Sequence, residues 1–311
     1  MFLAIESLIP IVLLVALGAA LLKWGFITPE VRGGMDRFTY WIALPSLFVQ
    51  QLAGTDFQEL AAGGLILVLA LGALAAAVVA AVVAFLLGLS RDRLGVFVQA
   101  GFRGNLAFVG LPLIIFALGG AGVEAGLVAA SLVALAVLVP ISNIMSVFTL
   151  LAPGQGISFR LMPRLGLQLA KNPLIISALL GGFLGWMAWR LPVIIDRPLE
   201  LLGQTALALA LVSLGGALIE LDVRGHIKLA IGAGLLKIAA MPAITYGLCL
   251  ALSLPDDQIL VAMIFAACPT ATASFIMTTQ LGGDKGLAAT CVVVSTVMSL
   301  GSLVVVLAWL G

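Results

Sequence analysis

Gln99-Ala100-Gly101-Phe102-Arg103-Gly104-Asn105-Leu106-Ala107-Phe108-Val109-Gly110-Leu111-Pro112-Leu113 lies inside an apolar segment long enough to cross a bilayer, yet it holds Arg103, Asn105, three glycines and a proline. An arginine at membrane depth costs about 3 kcal/mol on insertion scales, so it normally faces a cavity or a partner. Pro112 removes a helix hydrogen-bond donor, and Gly104 and Gly110 weaken the helix further. Unwound backbone at that depth is tolerated only where it is buried in protein or lines a water-filled cavity. The stretch reads as a broken helix at a binding site.

A second break follows 163 positions later. Leu89-Ser90 aligns with Leu252-Ser253, and the register runs without a gap to Gly119-Gly120 against Gly282-Gly283, with seven identities in thirty-two positions. The partner of the first break is Cys268-Pro269-Thr270-Ala271-Thr272-Ala273-Ser274, again polar and helix-breaking within an apolar span. Paired interrupted helices in the two halves of a chain are the best sequence pointer to a transporter's site.

Composition sets the class. At 63% hydrophobic and 9% charged residues, the chain is far from a soluble domain. Its three cysteines, Cys249, Cys268 and Cys291, all sit in apolar spans, form no disulfide framework and have no metal-site spacing. The chain enters an apolar span almost at once, without a basic leader or cleavage site, so this reads as a first helix rather than a removed signal.

Ten apolar spans are expected, at 4–22, 36–53, 61–87, 94–118, 123–150, 172–189, 199–217, 228–252, 257–281 and 286–309. Pro10, Pro45, Pro140, Pro173 and Pro242 fall in or at the ends of spans and read as kinks or first-turn prolines. With the N-terminus outside, the cytoplasmic side holds Lys23, Arg32, Arg37, Arg91, Arg93, Arg160, Arg164, Lys171, Arg224, Lys228 and Lys285, against Arg190 and Arg197 outside. That bias fixes the expected orientation, with both termini outside and the central loop cytoplasmic. The hydrophilic stretch 152–171 divides residues 1–151 from 172–311. Five spans in each half force the two repeats into opposite orientations, the inverted-repeat plan of many secondary transporters.

Two basic residues, Arg103 and Lys237, remain within spans, while the acidic residues fall in loops or near span ends. An anionic substrate could supply the missing counter-charge.

These residues resemble the auxin efflux carrier family of membrane transporters, in its bacterial branch. Arg103-Gly104-Asn105 followed by Gly110-Leu111-Pro112-Leu113 is similar to the family's fourth-helix motif. Lys171-Asn172-Pro173-Leu174 is similar to its start of the sixth helix, and Pro269-Thr270-Ala271 running to Gly282-Gly283-Asp284 to its ninth-helix motif. Where plant members usually place proline before the fourth-helix asparagine, this chain has Gly104. The resemblance implies an all-α membrane protein with helices 4 and 9 unwound and crossing near the midplane, an architecture shared with the bile-acid:sodium symporters. It implies a scaffold of helices 1, 2, 6 and 7 and a moving transport domain of helices 3–5 and 8–10. The implied activity is alternating-access transport of small organic anions, malate- or malonate-like in bacterial members and auxin in plant members, in a bacterial inner membrane.

Each site candidate has a functional and a structural reading. Asn105, matching the family's asparagine, offers two donors and a carbonyl that could hold a carboxylate, or it caps a half-helix. Gly104 and Pro269 shape the breaks, with Gly110, Pro112 and Cys268 as structural kink positions. Thr270, Thr272 and Ser274 converge on substrate or an ion only if their segment is extended; in a helix they would bond back to carbonyls. Arg103 could clamp a carboxylate or hold backbone carbonyls at the opened helix. Lys237 could attract substrate, respond to protons or fix helix packing. Gln50, Gln51 and Asn143 read as interhelical hydrogen-bonding groups, and His226 as a solvated residue at a helix start.

Enzyme chemistry finds no support. One histidine allows no HExxH zinc site, no GxSxG elbow occurs and no intramembrane aspartate pair is available. No metal or cofactor is expected, and sodium or proton coupling stays open. The expected partners are a small organic anion and the lipid bilayer, with no nucleic acid; a homodimer through the scaffold helices is an expected option. A sodium-coupled bile-acid-type symporter is the alternative, and an anion channel the less favoured one.

Overall fold

Apolar runs of this length leave the backbone one economical way to satisfy its polar groups in a membrane, the helix. The computed structural model describes residues 2–55, 62–118, 125–151, 167, 170–223 and 226–310, and these form helices joined by short turns. The first half contains α1 (Phe2–Lys23), α2 (Pro29–Phe38), α3 (Leu44–Ala53), α4 (Gly63–Leu86), α5 (Arg91–Phe102), α6 (Leu111–Leu118) and α7 (Ala125–Leu151). The second half contains α8 (Pro173–Trp186), α9 (Val193–Glu220), α10 (Ile227–Leu235), α11 (Met241–Ala251), α12 (Asp256–Ala267), α13 (Ala273–Leu281) and α14 (Lys285–Leu310). Most of the connector 152–171 lies outside the described residues, as do Asp56, Glu59, Gly119, Gly120, Glu124, Arg160, Arg164 and Arg224.

Two helices start earlier than hydropathy suggests. Thr28 caps α2, its hydroxyl accepting from the Val31 N–H, and Pro29 takes the first turn. The polar turns carrying Glu30 and Arg32 conceal this start from any apolar threshold. α9 begins at Val193 and runs through Pro198. The carbonyl that Pro198 deprives of a partner belongs to Ile194, which is exposed.

Among the described residues, three π-helical turns interrupt the α-helices, at Thr39–Ala43, Leu106–Gly110 and Leu236–Ala240. Each precedes a residue-proline pair, Leu44-Pro45, Leu111-Pro112 or Met241-Pro242. In each, the N–H before the proline reaches five residues back, to Thr39, Leu106 or Leu236. A proline clashes with the carbonyl four residues earlier and cannot donate to it, so one wider turn moves that carbonyl aside. The carbonyl that Pro242 displaces, at Ile238, accepts from the Ser302 hydroxyl at 2.7 Å.

Among the described residues, five helices are long and apolar enough to cross a membrane by length and composition: Gly63–Leu86, Gly126–Leu151, Val193–Glu220, Ile227–Ala251 and Lys285–Leu310. Leu8–Lys23, Leu106–Ala117 and Pro173–Trp186 are shorter apolar helices. Their outward faces are apolar, with Phe85, Leu179 and Val305 well exposed. Trp24, Trp186, Trp189 and Trp309 are exposed at or near helix ends, where amphipathic rings suit a membrane interface.

α1 lies along α9, and α9 also packs on α2 and α3, with α3 against α8. The α1–α9 approach depends on glycine: a Cβ at Gly18 would fall 1.9 Å from the Val212 carbonyl oxygen, and one at Gly215 would fall 1.9 Å from that of Val15. Small residues at such seams let helix backbones meet closely in a membrane. Arg32 adds a two-pronged bond to Glu220, at 2.7 Å from both Nε and Nη2, and pairs with Asp36 at 2.6 Å. The remaining helices pack mainly on one another: α4 on α5 and α11, α5 on α7, and α10 and α12 on α14. The two groups meet where α1 touches α6 and α14, where α7 touches α3 and α8, and where α9 touches the turn Leu106–Gly110.

Candidate functional site

α5 stops at Phe102 because the following residues leave the helix, Arg103 at φ −81°, ψ 100° and Asn105 at φ −82°, ψ 65°. α12 stops at Ala267 in the same way, with Cys268 at φ −57°, ψ 146° ahead of Pro269. These two short extended segments lie antiparallel and satisfy each other. The Asn105 N–H donates to the Pro269 carbonyl at 2.8 Å, and the Ala271 N–H donates to the Arg103 carbonyl at 3.0 Å. Gly104 thereby pairs with Thr270. Two buried, unwound backbones are tolerated because each is the other's hydrogen-bond partner.

The pairing brings four helix ends together. α5 and α12 arrive with their C-terminal carbonyl ends, while the turn Leu106–Gly110 and α13 depart with their N–H ends. The first N–H groups of a helix have no intrahelical partners and carry its positive dipole end. The site therefore holds donors suited to an anion beside carbonyls suited to a cation.

A cavity of about 80 Å³ opens beside the first break, lined by Arg103, Gly104, Asn105, Ser142, Asn143 and Ala271 among others. Arg103 is buried, and its Nη2 donates to Asn143 Oδ1 at 2.6 Å while Nη1 donates to Met277 Sδ. Among the described residues no carboxylate pairs with this guanidinium. Asn105 Nδ2 is buried with no hydrogen-bond partner among the described residues, an arrangement worth about 1–3 kcal/mol to any group that accepts from it.

The structure separates the other candidates. Thr270 is used internally, its hydroxyl donating to the Ala100 carbonyl at 2.9 Å and its N–H to Ser295 Oγ at 3.0 Å. Thr272 stands at the N-cap position of α13 without a side-chain capping bond, and Ser274 lies buried in the first turn, its hydroxyl unpartnered among the described residues. None of the three hydroxyls lines the cavity, and neither do Pro269, Gln50 or Gln51. Gly110 allows the second helix to approach: a Cβ there would lie 2.7 Å from Phe265 Cδ1 and 3.0 Å from Cys268 Sγ. Pro112 is the second residue of α6, after Leu111, and the Cys268 thiol bonds back to the Ile264 carbonyl at 3.2 Å. Lys237 is fully buried in the turn Leu236–Ala240, donates to the Ala266 carbonyl and does not line the cavity.

Asn143 was legible as an interhelical hydrogen-bonding group but not as the partner of Arg103. Met277 and Ser295 carried no sequence signal, since a methionine or serine in an apolar span is unremarkable until a neighbour is known. His226 differs from expectation. It stands at φ 56°, with Nε2 3.1 Å from Asp284 Oδ2, which also accepts from Arg93 Nε at 3.0 Å. Asp284 Oδ1 accepts from the Leu287 N–H and so caps α14. Burial alone would raise the Asp284 carboxyl, but the Leu287 amide, Arg93 and His226 together outweigh it and hold it below the usual carboxylate range.

Comparison with known proteins gives a consistent answer. The family described as membrane transport protein matches residues 3–307. A protein named "Probable auxin efflux carrier component 5c", from Oryza sativa subsp. japonica, is 30% identical over 156 residues, which is 47% of this chain and only 41% of that protein. A "Putative malonate transporter" from Rhizobium meliloti (strain 1021) is 26% identical over 285 residues, covering 88% of this chain and 85% of that one.

Proposed function

Because the chain belongs to the membrane transport protein family, that of the auxin efflux carriers, we propose that it carries small organic anions across a membrane by alternating access at the paired breaks. The observation that carries this reading is Asn105 Nδ2, a buried donor with no partner among the described residues, in a cavity that also holds the guanidinium of Arg103, which none of their carboxylates pairs. A substrate carboxylate accepts from Asn105, meets Arg103 as counter-charge and faces the N-terminal ends of the turn Leu106–Gly110 and of α13.

A cavity of about 80 Å³ is well below the several hundred Å³ of drug-sized pockets. It favours malonate- or malate-sized acids over an indole acid. The relative named for malonate, which matches most of this chain, supports the same substrate size.

In this reading the chain crosses the membrane ten times as two inverted five-helix repeats, with both termini outside. The mutual packing of α1, α2, α3, α8 and α9 supports a scaffold, and that of α4–α7 with α10–α14 supports a moving body. A homodimer through the scaffold belongs to the same proposal. The test is uptake of labelled malonate, malate, succinate and indole-3-acetate into proteoliposomes. Saturable uptake of a small aliphatic acid is expected; conductance without saturable uptake of any of them would replace the carrier with a channel.

A further inference from the structure

Lys237 is the second cation in the membrane interior, and its surroundings differ from those of Arg103. Its ammonium donates to the carbonyl of Ala266, in the last turn of α12. On another side it faces the first break, where a Cβ at Gly104 would lie 3.4 Å from Nζ. Among the described residues no acidic side chain pairs with it. Among the described residues this fully buried ammonium is thus met by a helix-end carbonyl and by no carboxylate.

The final carbonyls of a helix have no intrahelical partners and carry its negative end. In transporters with broken helices, such ends and unwound carbonyls are the groups that coordinate sodium. At α5 two of those groups are occupied by the protein itself: the Gln99 carbonyl accepts from the Arg103 N–H, and the Ala100 carbonyl from the Thr270 hydroxyl. At α12 the Ile264 carbonyl accepts from the Cys268 thiol, and the Ala266 carbonyl takes the Lys237 ammonium. Neutral donors meet Gln99, Ala100 and Ile264, so the one charged donor among these four carbonyls is the lysine at Ala266.

We propose that the Lys237 ammonium is a built-in cation at the C-terminal end of α12, occupying the place of a coupling ion, so that the wild-type protein binds no sodium there and removal of the side chain creates a monovalent-cation site. The consequence for coupling, anion transport without a sodium gradient, rests on the transporter reading. The binding test does not.

The experiment is thermal unfolding of the purified protein in detergent, in sodium, methylammonium or choline chloride at equal ionic strength. A ligand bound only by the folded state raises its melting temperature. The wild type melts at one temperature in all three salts. Lys237→Ala melts lower in choline and regains part of the loss in sodium or methylammonium, both small enough for the vacated space. Lys237→Met, neutral and of similar length, fills that space and stays insensitive to all three. Where Lys237→Ala does not fold, Lys237→Ser carries the same comparison. Sodium stabilisation of the wild type overturns the proposal, as does a folded small-residue variant that responds to neither cation. Failure of the wild type to carry any anion would remove the transporter reading and leave this comparison standing, because melting is read without transport.

Discussion

The Asn105 N–H donates to the Pro269 carbonyl at 2.8 Å, a main-chain bond between two breaks that are far apart in the chain. Because this bond and its return partner from Ala271 to Arg103 use only backbone atoms, the pairing does not depend on the asparagine side chain. The carboxamide is left free to face the cavity beside Arg103. Fold and binding are therefore separable at this residue, and several consequences can be measured.

Asn143 separates charge from packing. Asn143→Ala removes the acceptor at 2.6 Å from the buried Arg103. A hydrogen bond to a charged group is worth about 1.5–3 kcal/mol, so the melting temperature should fall and anion affinity weaken as the guanidinium loses its aim. Asn143→Asp instead gives Arg103 a carboxylate within the protein. It should melt no lower than the alanine variant while losing at least about tenfold in anion affinity, since 1.4 kcal/mol of competition suffices. Equal anion affinity in wild type and Asn143→Asp would remove Arg103 from the site.

Close approach at Gly110 predicts intolerance of any side chain. Gly110→Val would push into Phe265 and Cys268, whose atoms lie 2.7 and 3.0 Å from the would-be Cβ. Overpacking of this kind costs about 1–3 kcal/mol, read as a lower melting temperature in detergent.

The α1–α9 seam makes a similar prediction with an internal control. Gly215→Ala places a methyl 1.9 Å from the Val15 carbonyl oxygen, whereas a Cβ at Gly247 in α11 meets nothing within 4 Å. Gly215→Ala should lower the melting temperature by several degrees. Gly247→Ala should leave it unchanged or raise it, since alanine gains about 0.4–1 kcal/mol where the backbone tolerates it. Equal effects at both positions would contradict the seam.

Asp284 gives a pH dependence whose sign follows from its depressed carboxyl. A lowered folded-state value means the unfolded chain binds the proton more readily. The contribution is present in full above the ordinary carboxylate value of about 3.9 and is lost as pH falls through the lower folded value. Asp284→Asn should flatten the acid limb of the stability curve and lower stability at neutral pH. Asparagine caps as well as aspartate, so the α14 cap is kept and the loss at neutral pH is that of the ionic contacts with Arg93 and His226. A variant with an unchanged acid limb would contradict the assignment.

Much of this was legible in advance because membrane helices announce themselves by length and their breaks by exception. Gly104, Asn105 and Pro269 violate the helical rule within apolar spans, and they meet in space. Their pairing partners were less legible. The gapless alignment sets Asn105 opposite Cys268, whereas the chain pairs Gly104 with Thr270, because antiparallel segments meet by hydrogen-bond geometry rather than by repeat register. The three hydroxyls of 270–274 could not be sorted from sequence, since only the fold shows that Thr270 is bound to Ala100. Lys237 reads in sequence as one more candidate contact. Its place behind Gly104, against the Ala266 carbonyl, depends on a π turn that Pro242 induces and no periodicity reveals.

The most direct measurement is the concentration dependence of labelled malonate uptake into proteoliposomes by wild type and Asn105→Ala, each checked for an intact melting transition. Saturable uptake by the wild type, with loss of saturation or at least about a tenfold loss of affinity in the variant, is the predicted result. Identical saturation curves for the two proteins would contradict the placement of the anion at the paired breaks.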